Sequence, residues 1–397
     1  MLFNVGFYLV VPFLATYMTE NLAATGAMVG LVLGLRTFSQ QGLFFLGGGL
    51  ADRFGVKPIL LIGIAIRVAG FIAAGVATST FQLMGAVVLI GFAAALFSPA
   101  AEASFAVSGL EVERQGIMKR SELFAMDAYF SRIGSLLGPL LGAALIGAGF
   151  PLTCFIAAGI FTFLFFSHLC IVPAVQTQSS ASVLQGFRHV LSNKAFLLFA
   201  LGYSTYLVSY NQQYLSLPVE LERSTGTQDA LGWMFVFSSV LVLSLQMPLT
   251  RIAQRMAPTR AIFIGFALMS VSFAIVMLAS PLPPLPGFWA LTPAILMLVC
   301  MHVGQMLAVP ISRDLVGILA GEQNVGSYYG FLNSFGGLAV LLSSLTIGWM
   351  LDYSYEPQPA AALPWLALTV LMAASAMMLP RVARDHRRRP TNESLLT

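Results

Sequence analysis

The chain is a succession of long apolar runs broken by short polar turns. Twelve of the runs approach or exceed about 20 residues, the length a helix needs to cross a hydrocarbon core. They cover residues 2–18, 27–47, 58–78, 82–103, 122–147, 151–172, 194–217, 230–250, 261–280, 288–311, 326–350 and 363–380. In lipid each backbone group needs a partner inside its own segment, so each run predicts a membrane-spanning helix. The alternating ten-residue segments of a membrane barrel are missing. The spans are numbered helices 1 to 12. One polar stretch of any length, Gln176-Thr177-Gln178-Ser179-Ser180-Ala181-Ser182 and its flanks, divides them into six and six. The expected organisation is a six-helix bundle over 1–172, a cytoplasmic loop over 173–193, a second bundle over 194–380 and a basic cytoplasmic tail over 381–397. Helix 1 starts at Met1 without a polar lead-in and is short for a span, so it is either truncated or begun upstream. A cleaved signal peptide is not expected, because the basic leading region is missing.

Composition narrows the class. Hydrophobic residues make up 58% of the 397 residues and charged residues 9%, against about 25% charged in soluble domains. A soluble enzyme, a nucleic-acid binder and a disordered regulator are thereby excluded. The 20 Lys and Arg side chains then fix the orientation. If the twelve spans alternate, sixteen of them fall on one face, including Arg53, Lys57, Arg114, Arg255, Arg313 and the Arg387–Arg389 run. Arg223 alone falls on the other, and Arg36, Arg67 and Arg132 lie within spans. Lys and Arg stay on the cytoplasmic side, so both termini are expected there. The basic tail serves topology and contact with anionic lipid. Cys154, Cys170 and Cys300 sit in apolar runs and are expected to be free thiols.

The two halves resemble each other. Leu50-Ala51-Asp52-Arg53-Phe54 aligns with Ile252-Ala253-Gln254-Arg255-Met256, and the same offset of 202 sets Gly134 of helix 5 on Gly336 of helix 11. Parallel six-helix repeats mark one transporter architecture, with the substrate held between the halves.

The turn after helix 2 reads Gly48-Gly49-Leu50-Ala51-Asp52-Arg53-Phe54-Gly55-Val56-Lys57-Pro58. Glycine suits positions of positive φ or close packing. Asp52 can accept from a neighbouring helix N-terminus, while Arg53 and Lys57 can pair with acids such as Glu102 at the end of helix 4. Together these form a latch between the halves. The plainer reading is a positive-inside turn. The segment resembles the G-x-x-x-D-R-x-G-x-K signature of the major facilitator superfamily at Gly48, Asp52, Arg53, Gly55 and Lys57. Gly134, Gly138, Pro139 and Gly142 resemble the G-x-x-x-G-P-x-x-G signature of its drug:proton antiporters. Gly34 through Pro58 and Gly326-Ser327-Tyr328-Tyr329-Gly330-Phe331 are similar to a multidrug-resistance branch of that family. The resemblance implies a major facilitator fold of twelve helices in two pseudo-symmetric bundles, a small-molecule substrate, exchange for protons, a monomer in a bacterial inner membrane, and no cofactor. Two departures stand out. Helix 4 lacks the buried arginine of drug antiporters over 82–101, and the helix-1 acid and asparagine of the branch would fall just before Met1.

The remaining polar residues supply candidate sites. Gly134, Gly138 and Gly142 recur every four residues on one helix face, which suits close packing and is expected at the seam between the halves. Asp127 continues that face and is the candidate proton carrier, since burial raises a carboxyl pKa and a nearby arginine lowers it again. Arg36 with Gln40, four residues on, is expected to face a wet cavity, because a charge at the bilayer centre needs a reason. Tyr203, Tyr206, Tyr210 and Tyr214 form a stripe on helix 7 beside Asn211. An interfacial belt explains Tyr214, whereas Tyr206 and Tyr210 lie deeper and suit a wall for flat, apolar, often cationic compounds. Gln246, His302 and Gln305 would add polar points, though His302 is equally at home as a hydrogen-bonded structural residue. No metal site is expected from four scattered histidines. The reading is a secondary transporter that exports drugs or other amphipathic molecules by proton antiport. Its rivals are an exporter or flippase for one lipid, sugar or metabolite, and an intramembrane enzyme. The enzyme lacks any nucleophile–base pair or metal-ligand set at depth.

Overall fold

The structure is a computed structural model that describes residues 1–116, 120–172, 190–319 and 325–387. Most of the expected central loop (173–189) and the end of the tail (388–397) lie outside the described residues. The described residues contain helices and turns and no strand. Helix 1 spans Leu2–Leu22, with a 3₁₀ turn at Val11–Phe13 where Pro12 removes a donor. Helix 2 covers 26–54. Helices 3 to 6 are Val56–Val76, Thr80–Arg114, Arg120–Ile146 and Phe150–Ile171. Helices 7 to 9 are Lys194–Leu215, Leu231–Gln254 and Pro258–Ala279. Helices 10 to 12 are Thr292–Leu319, Val325–Leu351 and Leu363–Arg387. Among the described residues nine of these are long and apolar enough, by length and composition, to cross a membrane. Helices 2, 5 and 7 are the other three. The first of them is interrupted by a π-helical turn.

Helix 2 outlasts its expected end at residue 47. Glycine permits a turn without forcing one, and here Gly47 instead lets helix 2 approach the backbone of Ala95 and Leu96 in helix 4. The helix ends at Phe54 on Gly55, whose φ of 91° falls where L side chains are strained. Most of the expected turn, Gly48 to Phe54, is therefore the last turns of a helix, and the reversal is concentrated at Gly55. The side chains of Asp52, Arg53 and Glu102 lie outside the described residues, as does the environment of Gly48. Lys57 is half-buried.

The repeat is visible in the packing at the sequence offset of 202. Gly63 and Gly265, 202 residues apart, each nest against the following helix, Gly63 against Phe97 of helix 4 and Gly265 against Ala308 of helix 10, though those partners stand 211 apart. Phe71 and Phe273 are both wholly buried. The seam between the halves repeats as well. Gly30 lies against Ser344 and Gly348 where helix 2 meets helix 11, and Gly232 lies against Ala143 where helix 8 meets helix 5.

The three-glycine face of helix 5 is not at that seam. A side chain on Gly134 would meet Met1 and Asn4, one on Gly138 would meet Tyr8 and Val5, and one on Gly142 would meet Leu9 and Phe13. All belong to helix 1 of the same half. The adjacent face, one residue on, reaches the other half: the Ser135 carbonyl accepts from Ser239 Oγ at 3.2 Å. A stripe of small residues encodes close approach and carries no information on which helix approaches.

The end of the bundle without the basic residues is rich in acids and is tied shut. Gly26 N–H donates to Asp352 Oδ1 at 2.6 Å, and Thr16 Oγ1 donates to Gln228 Oε1, each bond joining the two halves. Gln228 Nε2 in turn donates to Glu222 Oε2 at 2.7 Å. Arg223, the one basic residue at this end, is buried and pairs bidentately with Glu220 at 2.7 and 2.8 Å. Burial lifts the Glu220 carboxyl above the usual carboxylate range, and Arg223 draws it partly back.

Candidate functional site

The seam opens into a central cavity of about 640 Å³, within the size range of small-molecule sites. Helix 7 supplies its aromatic wall through Tyr206 and Tyr210, as the stripe in the sequence anticipates, and also through Tyr214, which is buried against the cavity and not part of an interfacial belt. Gln246 of helix 8 and His302 and Gln305 of helix 10 line it too, with Pro139 of helix 5. Arg132 and Arg313, both exposed, stand on the side toward the basic end. The cavity is thus sealed toward the acidic end and reaches toward the basic one.

Gln40 is half-buried and is not among the lining residues; Gln41 is. The reason is local. Phe38–Gly42 forms a π-helical turn, which inserts one residue and rotates the positions that follow it about the helix axis. Such turns break the i, i+4 rule and recur at functional sites.

Arg36 does not line the cavity either. It lies behind it, with its guanidinium 5.6 Å from the centre of the Tyr214 ring and 5.5 Å from that of Phe7. Its Nη2 donates to Thr37 Oγ1 at 3.0 Å, and Thr37 reaches Asn211 Oδ1 at 3.4 Å. Asn211 Nδ2 then donates to Ser344 Oγ at 2.9 Å. Asn211 is therefore buried in a chain of hydrogen bonds from helix 2 through helix 7 to helix 11, across the seam. An amide on a tyrosine-flanked helix reads equally as wall or as strut, and packing decides for the strut.

Two residues the sequence reading passed over belong to the site. Tyr8 of helix 1 lines the cavity, and its hydroxyl meets that of Tyr210 at 3.3 Å; Tyr210 meets Tyr214 at the same distance. Tyr8 and Tyr210 are separated by 202 residues, so the repeat offset would have found the pair. The other is Arg67, buried in helix 3. Its guanidinium lies 4.9 Å from the rings of Phe7 and Phe161, 5.0 Å from Phe97 and 5.9 Å from Phe71. Cation–π contact contributes about 0.5–2 kcal/mol per ring, comparable to the roughly 2.5–3.5 kcal/mol that an arginine costs at mid-membrane. Among the described residues the one ion pair is Glu220–Arg223, and neither Arg36 nor Arg67 meets a carboxylate. The Asp127 side chain lies outside the described residues. Among those residues no cluster of His, Cys, Asp or Glu could hold a metal ion, and the three cysteines are free.

A family model described as Major Facilitator Superfamily matches residues 1–344 and again 202–394. The chain belongs to the major facilitator superfamily. Relatives in that superfamily include an uncharacterized MFS-type transporter of Mycobacterium tuberculosis H37Rv, 34% identical over 88% of this chain and 83% of the relative. The multidrug resistance protein MdtH of Aeromonas hydrophila is 30% identical over 94% and 91%. Among solved structures, a POT family transporter in complex with 5-aminolevulinic acid superposes with a TM-score of 0.78 at 14% identity, covering 97% of this chain and 94% of that one. The nucleoside transporter NupG superposes with a TM-score of 0.73 at 16% identity, covering 98% and 97%. At such identities these two speak for the fold alone. The superfamily member described here is a multi-pass membrane transporter of small molecules and not an enzyme.

Proposed function

We propose that the protein exports amphipathic small molecules, drugs among them, in exchange for protons by alternating access. The observation that carries the reading is the cavity: an aromatic wall with amide edges, set between two halves that are latched at one end. The likeness to MdtH supports efflux as the direction. In this reading the basic end faces the cytoplasm of a bacterium, both termini lie there, and a single chain in the inner membrane is the working unit. Substrate enters from the basic end, the halves rock about the seam, and the acidic end opens outward.

Asp127 is the proposed proton carrier, near the basic end of helix 5. Buried, it keeps its proton, and when the basic end opens to water it releases it. Substrate binding favours release and release favours binding, since such coupling is reciprocal. The latch role of Gly48, Asp52, Arg53, Gly55, Lys57 and Glu102 belongs to the same proposal, with Asp52 the acid that holds the closed basic end. The test is a susceptibility panel in an efflux-deficient host expressing wild type or Asp127→Asn. Wild type should raise tolerance to several amphipathic compounds. Asp127→Asn, inserted at equal level, should bind substrate yet lose accumulation driven by a proton gradient in vesicles. Gradient-driven accumulation equal to wild type would remove Asp127 from the mechanism, and unchanged tolerance with wild type would remove drug export.

A further inference from the structure

We infer that the cavity is built for organic anions, molecules that carry a carboxylate on an apolar or aromatic body. The inference rests on the export reading above and names its substrate class; with an anion bound, the link to proton release from Asp127 runs through the change of conformation and not through direct charge, since like charges repel. The wall built by helices 8 and 10 holds buried polar atoms that no group of the protein satisfies. Gln305 Nε2 and Ser238 Oγ are buried, line the cavity and have no partner within the protein, and His302 Nε2 is likewise unpartnered. Buried donors left unpaired are rare, and each calls for an acceptor. Around them the formal charge is of one sign. Arg132 and Arg313 stand in the cavity wall, and Arg36 lies directly behind Tyr214 with its Nε unpartnered. Among the described side chains that line the cavity there is no Asp or Glu.

A cation placed here would meet two arginines, with only neutral acceptors (amide and hydroxyl oxygens and ring faces) in compensation. A carboxylate would accept from the amides and hydroxyl, and its charge would be offset by the guanidiniums. Arg is the side chain best shaped for that contact, since its planar fork matches a carboxylate. The apolar body would lie on Phe235 and Met306 and the tyrosine stripe of helix 7. The two arginines at the open side would also draw such an anion in from the basic end, because a cleft lined by one sign of charge concentrates the opposite ion.

The test uses three probes of one shape, 2-naphthaleneacetate, neutral 2-naphthaleneacetamide and the 2-naphthylethylammonium cation, titrated calorimetrically into the full chain in lipid nanodiscs. The carboxylate should bind about tenfold or more tightly than the amide, the difference one charge-assisted contact makes, and the ammonium more weakly than either. Arg132→Gln and Arg313→Gln should each lower carboxylate affinity several-fold while leaving the amide unchanged, a split that general misfolding would not produce. Ammonium binding as tight as the carboxylate, or Gln variants that weaken all three probes alike, would overturn the assignment. Counterflow of the same probes in proteoliposomes separates the two levels of the argument. Exchange of the ammonium but not the carboxylate keeps the export reading and sinks this one, whereas movement of neither probe sinks both.

Discussion

Gly30→Ala is the sharpest probe of how the acidic end closes. The Cβ it adds would stand inside van der Waals contact of the Ser344 carbonyl and 3.2 Å from Gly348 Cα. Both obstacles are backbone, so no side chain can swing away. Ordinary carbon contacts lie at about 3.5–4.0 Å, so helices 2 and 11 must part locally by about 1 Å. Overpacking of this kind typically costs about 1–3 kcal/mol. The parting also strains the 2.6 Å bond from Gly26 N–H to Asp352 one turn away. The penalty falls only on the conformation in which this end is shut, so it shifts the equilibrium about 5- to 150-fold toward opening. A protein closed 99:1 would become roughly 95:5 at the small end of that range and roughly 40:60 at the large end. Spin labels on Asn21→Cys and Asp229→Cys, exposed residues on opposite halves at this end, would report it by pulsed dipolar distance measurement in a background free of native cysteine. A second, longer distance should grow in Gly30→Ala. Gly85→Ala is the control, because nothing lies within 4 Å of its added atom; it should leave the distribution alone. An unchanged distribution in a folded Gly30→Ala protein would refute the view that this glycine contact holds the gate.

Three further outcomes are expected. A cysteine at Thr227, which is exposed at the acidic end, should react with an impermeant thiol reagent added outside cells, and one at Arg255 should not; equal labelling would break the twelve-helix topology. The buried Arg223 is a poor choice for that assay despite its place in the charge pattern. In thermal denaturation Arg67→Lys should lower Tm by several degrees, because an ammonium is more strongly hydrated than a guanidinium and fits the phenyl cage less well, while Arg67→Met should recover much of the loss. A Met variant less stable than the Lys variant would mean that the charge has an anionic partner. Asp52→Asn should slow transport with insertion intact, and wild-type rates in that variant would reduce the segment to a topogenic turn.

Most of the architecture is legible in the chain because the bilayer imposes it. A helix must be about 20 residues long and mostly apolar, and charge must alternate from turn to turn, so the twelve spans follow from two simple rules. What the sequence hides is whatever depends on which neighbour is met. The glycines of helix 5 announce close contact but not that helix 1 makes it. The choice between Gln40 and Gln41 turns on a single inserted residue in the helix, which periodicity over so short a polar run cannot register. Asn211 carries the same groups whether it faces a substrate or a strut. Tyr206, Tyr210, Gln246, His302 and Gln305 were legible because polar and aromatic residues deep in a span have few other places to go.

The contact between Tyr8 and Tyr210 is a residue meeting its own counterpart in the other repeat. Only positions on the pseudo-twofold axis can do that, so this pair marks where the axis crosses the cavity. Atoms related by such an axis are displaced equally and oppositely when the halves rock. The separation of these two hydroxyls is therefore an internal ruler: it reads the opening of the molecule without any need to decide which half has moved.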